Sequence, residues 1–213
     1  MAEICALSED DGIRFDPKSV TWEAIHEDAD YEGIRVKISG VLGKARKILQ
    51  IDLGFGDIIR PGIVDITFPA ILEDVGPKVK AYSAESVISE KFEAMIKLSL
   101  VNSRMKDFYD VHALSLSRRF DGQVLARAVE ATFNTRKTPF PDHAIVFSPD
   151  FASDNGRQRQ WQAFLRKSKL QGVDDRFGNI MQRVTSFLKP VADSIKQGKI
   201  LDKEWDIGRG SWV

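Results

Sequence analysis

One cysteine in 213 residues, Cys5, leaves no partner for an intramolecular disulfide, and that scarcity fits a reducing, intracellular setting. No apolar run reaches the length that spans a bilayer, and no charged-then-apolar leader opens the chain. Net charge is missing too. Thirty-one basic side chains balance 31 acidic ones, so nothing in the overall charge announces a nucleic-acid or membrane partner. Internal repeats and low-complexity stretches are also absent from the sequence. The expectation is a cytoplasmic globular protein without membrane association.

What is present can build a substantial core. Hydrophobic residues make up 43% and charged ones 29% of the chain, enough for one large domain or two small ones. Charge is unevenly placed: Met1 to Glu32 carries ten acidic side chains against Arg14 and Lys18, whereas Gly33 to Gln50 has five basic residues (Arg35, Lys37, Lys44, Arg46, Lys47) and no acidic one. Up to about Tyr82 the pattern is that of strands. Ile34, Val36 and Ile38 alternate with Arg35, Lys37 and Ser39, and Leu49, Ile51 and Leu53 alternate with Gln50 and Asp52. This predicts an antiparallel pair with one face on the core and a polar face carrying Arg35, Lys37, Gln50 and Asp52. From Ser83, a candidate N-cap, the period becomes helical. The spacing predicts helices over Ala84–Val101 and Met105–Arg118, a third capped by Asp121, one around Trp161, and a last one through Ile180 and Val191 that Pro190 should kink or interrupt. The aromatic tail from Trp205 to Trp212 is expected to pack back on the helices. The fold class is therefore α+β, divided into a β-rich part, residues 1–82, and a helical part, residues 83–213.

Lys91 is the first residue to demand a partner. On a helix from Ala84, residues Val87, Ile88, Phe92 and Met95 form an apolar arc with Lys91 near its centre. Ser86, Glu90, Glu93 and Lys97 fall on what reads as the solvent side. An ammonium among apolar groups loses its proton, snorkels to water, or meets carboxylate or phosphate. Periodicity leaves both snorkelling and a phosphate-facing role open.

Asp107 starts a row with Asp110, Val111 and Leu114 near a helix N-terminus, where the helix dipole alone would favour a carboxylate. It is also within reach of Lys91 if the two helices are neighbours, with Tyr109, Asp110 and Glu85 as supports and Arg104 and Lys106 adding positive charge. Asp52 stands on the polar face of a strand just before Gly54 and Gly56, a position suited to a metal-binding carboxylate. It suits equally a salt bridge across the hairpin to Arg35 or Lys37.

The segments YEGIRVKISGVLGKARKILQIDLGFGD, AYSAESVISEKFEAMI and NSRMKDFYDVHAL, in this order, and later ATFNTRKTPFP with the surroundings of Trp161 and Trp212, resemble the AbiEii/AbiGii abortive-infection toxin family of nucleotidyltransferases. The resemblance covers nearly the whole chain. It implies a DNA polymerase β-like nucleotidyltransferase core followed by a helical region, and transfer of a nucleotide from a nucleoside triphosphate with magnesium. It implies Lys91 and Asp107 as active-site residues and Asp52 as a further carboxylate that could hold metal; Lys91, with the local positive charge of Arg104 and Lys106, is expected to bind the nucleotide. A phage-defence toxin–antitoxin system with a cognate antitoxin, and RNA as a possible acceptor, belong to the same expectation.

The family opens on a Gly-Gly-Ser/Thr segment followed by an Asp-x-Asp metal pair, and neither is found here in that place. Asp28-Ala29-Asp30 matches by letters only, beside YEGIR. The sequence therefore reads as a member lacking its N-terminal segment and is expected to turn over little by itself, since metals supply much of the electrostatics of phosphoryl-type transfer. The alternatives are a non-catalytic nucleotide- or RNA-binding remnant, or a helical interaction module using Arg157, Arg159, Arg166, Lys167 and Lys169. The basic run from Arg35 to Lys47 either attracts RNA phosphates or protects a sheet edge from pairing.

Overall fold

The computed structural model describes residues 2–7, 11–26, 32–55, 59–70 and 76–213. Two compact units divide the chain, Met1–Asp57 and Ile58–Val213. Asp28-Ala29-Asp30 and Gly56 lie outside the described residues.

The first unit is a short helix α1 (Ala2–Ala6) and an antiparallel sheet of β1 (Ile13–Phe15), β2 (Thr21–His26), β3 (Glu32–Leu42) and β4 (Ala45–Gly54). The long strand β3 is its axis, pairing with β1 and β2 along one edge and with β4 along the other. The turn between β3 and β4 is Gly43-Lys44, and Gly43 has φ +58°, the left-handed backbone that a tight hairpin demands and glycine supplies without steric cost. The register sets Arg35 against Asp52 and Val36 against Ile51, so the alternation read from the sequence becomes two distinct faces. On the apolar face Val36 and Ile38 are buried, while Leu49, Ile51, Leu53 and especially Trp22, at 73% exposure, are open. β1 and β2 were not anticipated; three- and six-residue strands carry little periodic signal.

The second unit adds the hairpin β5 (Ile63–Thr67) and β6 (Lys78–Tyr82) to the helices α2 (Ala84–Leu98), α3 (Met105–Ser117), α4 (Gly122–Thr135), α5 (Pro149–Ser153), α6 (Asn155–Ser168) and α7 (Phe177–Lys196), and closes with β7 (Trp205–Asp206) and β8 (Ser211–Trp212). Ser83 caps α2 by accepting from Ser86 N, and Asp121 caps α4 by accepting from Val124 N. Helix α2 ends three residues earlier than its apolar pattern suggests, at Leu98, with Ser99 at φ +46° turning into a short 3-10 segment. Helix α7 runs through Pro190 to Lys196. The missing Pro190 N–H frees the carbonyl of Ser186, an exposed residue whose backbone water can reach, while buried Phe187, Leu188, Val191 and Ala192 hold both halves of the helix in the core.

That core is aromatic and helical. Phe92, Phe108, Phe133, Trp161, Phe177 and Phe187 are fully buried, and α7 supplies its central stripe. Trp205 and Trp212 lie in it as the tail pattern suggests, with Trp212 stacked on Phe187 at 5.6 Å and 5°.

Candidate active site

Helices α2 and α3 pack on each other inside the second unit, and the loop between them is pinned before either helix offers a functional group. Buried Arg157 of α6 donates from Nη1 to Asn102 O (2.9 Å) and from Nη2 to Leu100 O (2.7 Å). Asn102 Oδ1 accepts from Arg104 N at 2.8 Å, so the chain enters α3 at a fixed angle. This use of Arg157 removes it from the basic face that the sequence suggested for α6. Its guanidinium stacks over Phe151 at 3.7 Å instead.

On this frame Lys91 of α2 faces the first two turns of α3. Its Nζ lies 3.1 Å from Asp107 Oδ1 and 2.6 Å from Asp110 Oδ2. The ammonium is not snorkelling: the side chain is 17% exposed and ends between two carboxylates, of which Asp107 is 4% and Asp110 19% exposed. Burial is the largest single influence on the Lys91 proton and works to remove it, but the hydrogen bonds and charges of Asp110 and Asp107 together outweigh it, holding the group above its ordinary 10.5. Lys91 is thus a permanently charged cation at neutral pH. An ammonium has three N–H donors; two carboxylates leave one of them for another acceptor.

Further cations ring the pair. Arg104 Nε stands 2.9 Å from Asp107 Oδ2, and Lys106 Nζ 2.6 Å from Asp110 Oδ2. The arginine contact is ionic rather than an aligned hydrogen bond, since Asp107 Oδ2 is buried without a hydrogen-bond partner. Three cations against two carboxylates give the cluster a formal charge of +1. Tyr109 turns away from it, packing its ring on Phe164 at 5.8 Å. Glu85 sits half-buried in the first turn of α2.

Asp52 belongs to the first unit. There both of its oxygens accept from Arg35, from Nε and Nη2 at 2.9 Å each, with Gln50 Nε2 at 3.3 Å. The Arg35 hydrogen bonds chiefly hold its carboxyl below the ordinary 3.8. Lys37 is likewise paired across the sheet, with Glu23 at 3.0 Å. The open basic side chains of this region are therefore those around the hairpin turn, Lys44, Arg46 and Lys47.

One group near the site escaped the sequence reading. Glu93, assigned above to the solvent side of α2, is 1% exposed; Arg136 Nη1 donates to its Oε2 at 3.0 Å and Thr138 Oγ1 to its Oε1. Ser86 and Ser89 are buried on the same side, and Thr132 Oγ1 donates to Ser89 Oγ at 3.0 Å. Ser86 donates from Oγ to the carbonyl of Arg60 at 2.6 Å, while Ser89 meets α4 through Thr132, so the face that looks polar by composition is a second buried interface. Nothing in the spacing marks that face as enclosed, because the apolar residues of α2 form one arc and Ser86, Glu90, Glu93 and Lys97 lie together outside it.

Among the described residues no three His, Cys, Asp or Glu side chains converge on a point where a metal could sit. No helix among them is long and apolar enough to cross a membrane.

An ammonium held between two carboxylates on neighbouring helices, with a third donor and flanking cations, has the chemistry to meet phosphate oxygens. Residues 1–183 match the nucleotidyl transferase toxins of type IV toxin–antitoxin systems. The chain belongs to this family, AbiEii. No curated protein and no solved structure matches it.

Proposed function

We propose that the protein acts on a nucleoside triphosphate as a toxin-type nucleotidyl transferase, with Lys91 and Asp107 at the centre of the site and Arg104 and Lys106 as additional phosphate-facing cations. The observation that carries this reading is the Lys91 ammonium held by Asp107 and Asp110. In the transfer, an acceptor hydroxyl oxygen bonds to the α-phosphorus, the bond from that phosphorus to the bridging oxygen breaks, pyrophosphate leaves and the hydroxyl proton passes to water. Lys91 contributes a positive charge already in place before substrate arrives, aimed by two fixed carboxylates, so little reorganisation is needed as charge develops on the phosphate. Asp107 and Asp110 act through Lys91 by positioning it.

The proposal extends to a DNA polymerase β-like core, to RNA as acceptor and to a cognate antitoxin in phage defence. RNA finds support in the exposed Lys44, Arg46 and Lys47 around the β3–β4 turn. Magnesium does not fit the described residues by themselves. Asp107 and Asp110 are committed to cations and Asp52 to Arg35, so none of these three carboxylates is open to the ion, and the chain is expected to bind nucleotide with little turnover. That imbalance favours the second reading, a nucleotide- or RNA-binding protein without catalysis, as the alternative.

The test is equilibrium binding of a fluorescent nucleoside triphosphate alongside transfer of α-phosphate label to RNA. Lys91→Met should weaken binding by about tenfold or more, the loss of one charge-assisted hydrogen bond to phosphate. Equal binding by wild type and Lys91→Met would remove Lys91 from the site. Binding that depends on Lys91 without any label transfer would select the second reading.

A further inference from the structure

A cavity of about 370 Å³ opens elsewhere in the second unit, between α2, α7 and the connection that follows α4. Phe92 and Ile96 form its α2 wall, Phe140 and Phe147 come from the connection, and Ala192 from α7. Ile96 lies five residues beyond Lys91, about 140° around the helix at 100° per residue, so this is a different face of α2 from the one that meets α3. The volume falls within the roughly 300–1,000 Å³ of small-molecule sites.

Its lining has a definite chemistry. Phe140 is stacked on the buried Phe133 at 4.0 Å and 10°, and Phe133 does not line the cavity. One face of Phe140 is therefore occupied, and what it offers the cavity is the other face and edge, beside Phe92 and Phe147. Such a floor favours a flat ring that extends the stack. The rim is polar and electrically balanced: Lys189 pairs with Asp193 at 2.6 Å, Lys196 donates to the backbone oxygen of Asp142, and the Asp142 carboxylate restores neutrality. The lysine and aspartate side chains of the rim offer a polyphosphate no net positive charge. A hydrocarbon would cover the aromatic floor but make no use of the polar rim.

The geometry points to a second ligand site, for an uncharged planar heteroaromatic compound of the nucleobase or nucleoside class, independent of the triphosphate site proposed above. The aromatic floor takes the ring, and the mixed donors and acceptors of the rim take its edge.

The test uses adenosine, guanosine, cytidine and uridine as probes, with saturation-transfer NMR on the full chain and dissociation constants from titration. At least one nucleoside should bind. Ala144→Trp, which fills the cavity from the loop side, should weaken it by about tenfold or more, a loss of ~1.4 kcal/mol. Phe140→Leu, which keeps apolar bulk and removes the ring, should weaken it severalfold and serves if the tryptophan variant fails to fold. Lys91→Met should leave nucleoside binding unchanged, which separates this site from the triphosphate site whatever the fate of the latter. Absence of binding by all four nucleosides, binding indifferent to both cavity variants, or binding abolished by Lys91→Met would each overturn the assignment.

Discussion

Lys91 and Asp107, on neighbouring helices, share a hydrogen bond of 3.1 Å between Nζ and Oδ1. Because the folded state holds the Lys91 proton more tightly than its ordinary 10.5, the pair contributes stability that is fully present below that value and is lost as pH rises through the higher folded-state value. Lys91→Met leaves Asp107 and Asp110 without their central cation. It should cost about 2–3 kcal/mol near neutral pH, somewhat under the ~3–5 kcal/mol for breaking a fully buried pair, because water reaches the rim. The gap between the urea midpoints of wild type and variant should stay constant up to about pH 10.5 and narrow above it. A gap that closes well below that pH would mean that Lys91 loses its proton early and that burial, not the carboxylates, controls it.

Glu93 reverses the expectation read from helical position. With its carboxylate 1% exposed and engaged by Arg136 and Thr138, Glu93→Ala should destabilise by about 3 kcal/mol or more through the stranded partners. Glu93→Gln, which keeps an acceptor for Thr138, should cost less. Urea unfolding of both variants decides the matter; an alanine variant within error of wild type would return Glu93 to the surface.

The contrast between these two residues shows what was legible in the sequence. Lys91 could be singled out because a charge inside an apolar arc has to find a counter-charge, and the aspartates of the next helix were the near candidates. Asp110, read only as a support for Asp107, makes the shorter contact, since side-chain reach within α3 cannot be resolved from spacing. Glu93 was misread because α2 is enclosed by α4 as well as α3, and serines at an interface look like solvent-facing residues until the partner helix is known. Pro190 does not interrupt α7, because buried residues on both sides of it hold the helix in the core. The two faces of the β3–β4 pair followed directly from period-two alternation, whereas the choice between salt bridge and metal ligand for Asp52 depended on rotamers that spacing does not encode.

Asp52 offers a pH test of its own. Its carboxyl is held below 3.8 chiefly by the Arg35 hydrogen bonds, so its contribution to stability is present above that value and fades as pH falls through the lower folded-state value. Carboxyl NMR titration should place the Asp52 midpoint below 3.8, and Arg35→Gln should move it upward. Raising the salt concentration should weaken the effect, as for any exposed pair. An Asp52 midpoint that ignores Arg35→Gln would show that the bidentate contact does not persist in solution.

The closing hairpin gives a prediction in which packing and hydrogen bonding can be separated. Trp212 donates from Nε1 to Phe187 O at 2.9 Å while its ring stacks on the Phe187 side chain and meets Trp205 edge-on at 5.5 Å. Trp212→Ala removes both contributions and opens a void against α7, so a cost of about 3–5 kcal/mol is expected. Trp212→Phe keeps an aromatic face for the stack and loses the donor, leaving the Phe187 carbonyl with its intrahelical bond. It should cost only about 1–2 kcal/mol. Thermal unfolding followed by tryptophan fluorescence and circular dichroism measures both. If the alanine and phenylalanine variants are equally destabilised, the hydrogen bond and not the stack anchors the C-terminal hairpin; if neither is destabilised, the hairpin does not hold the helical core together.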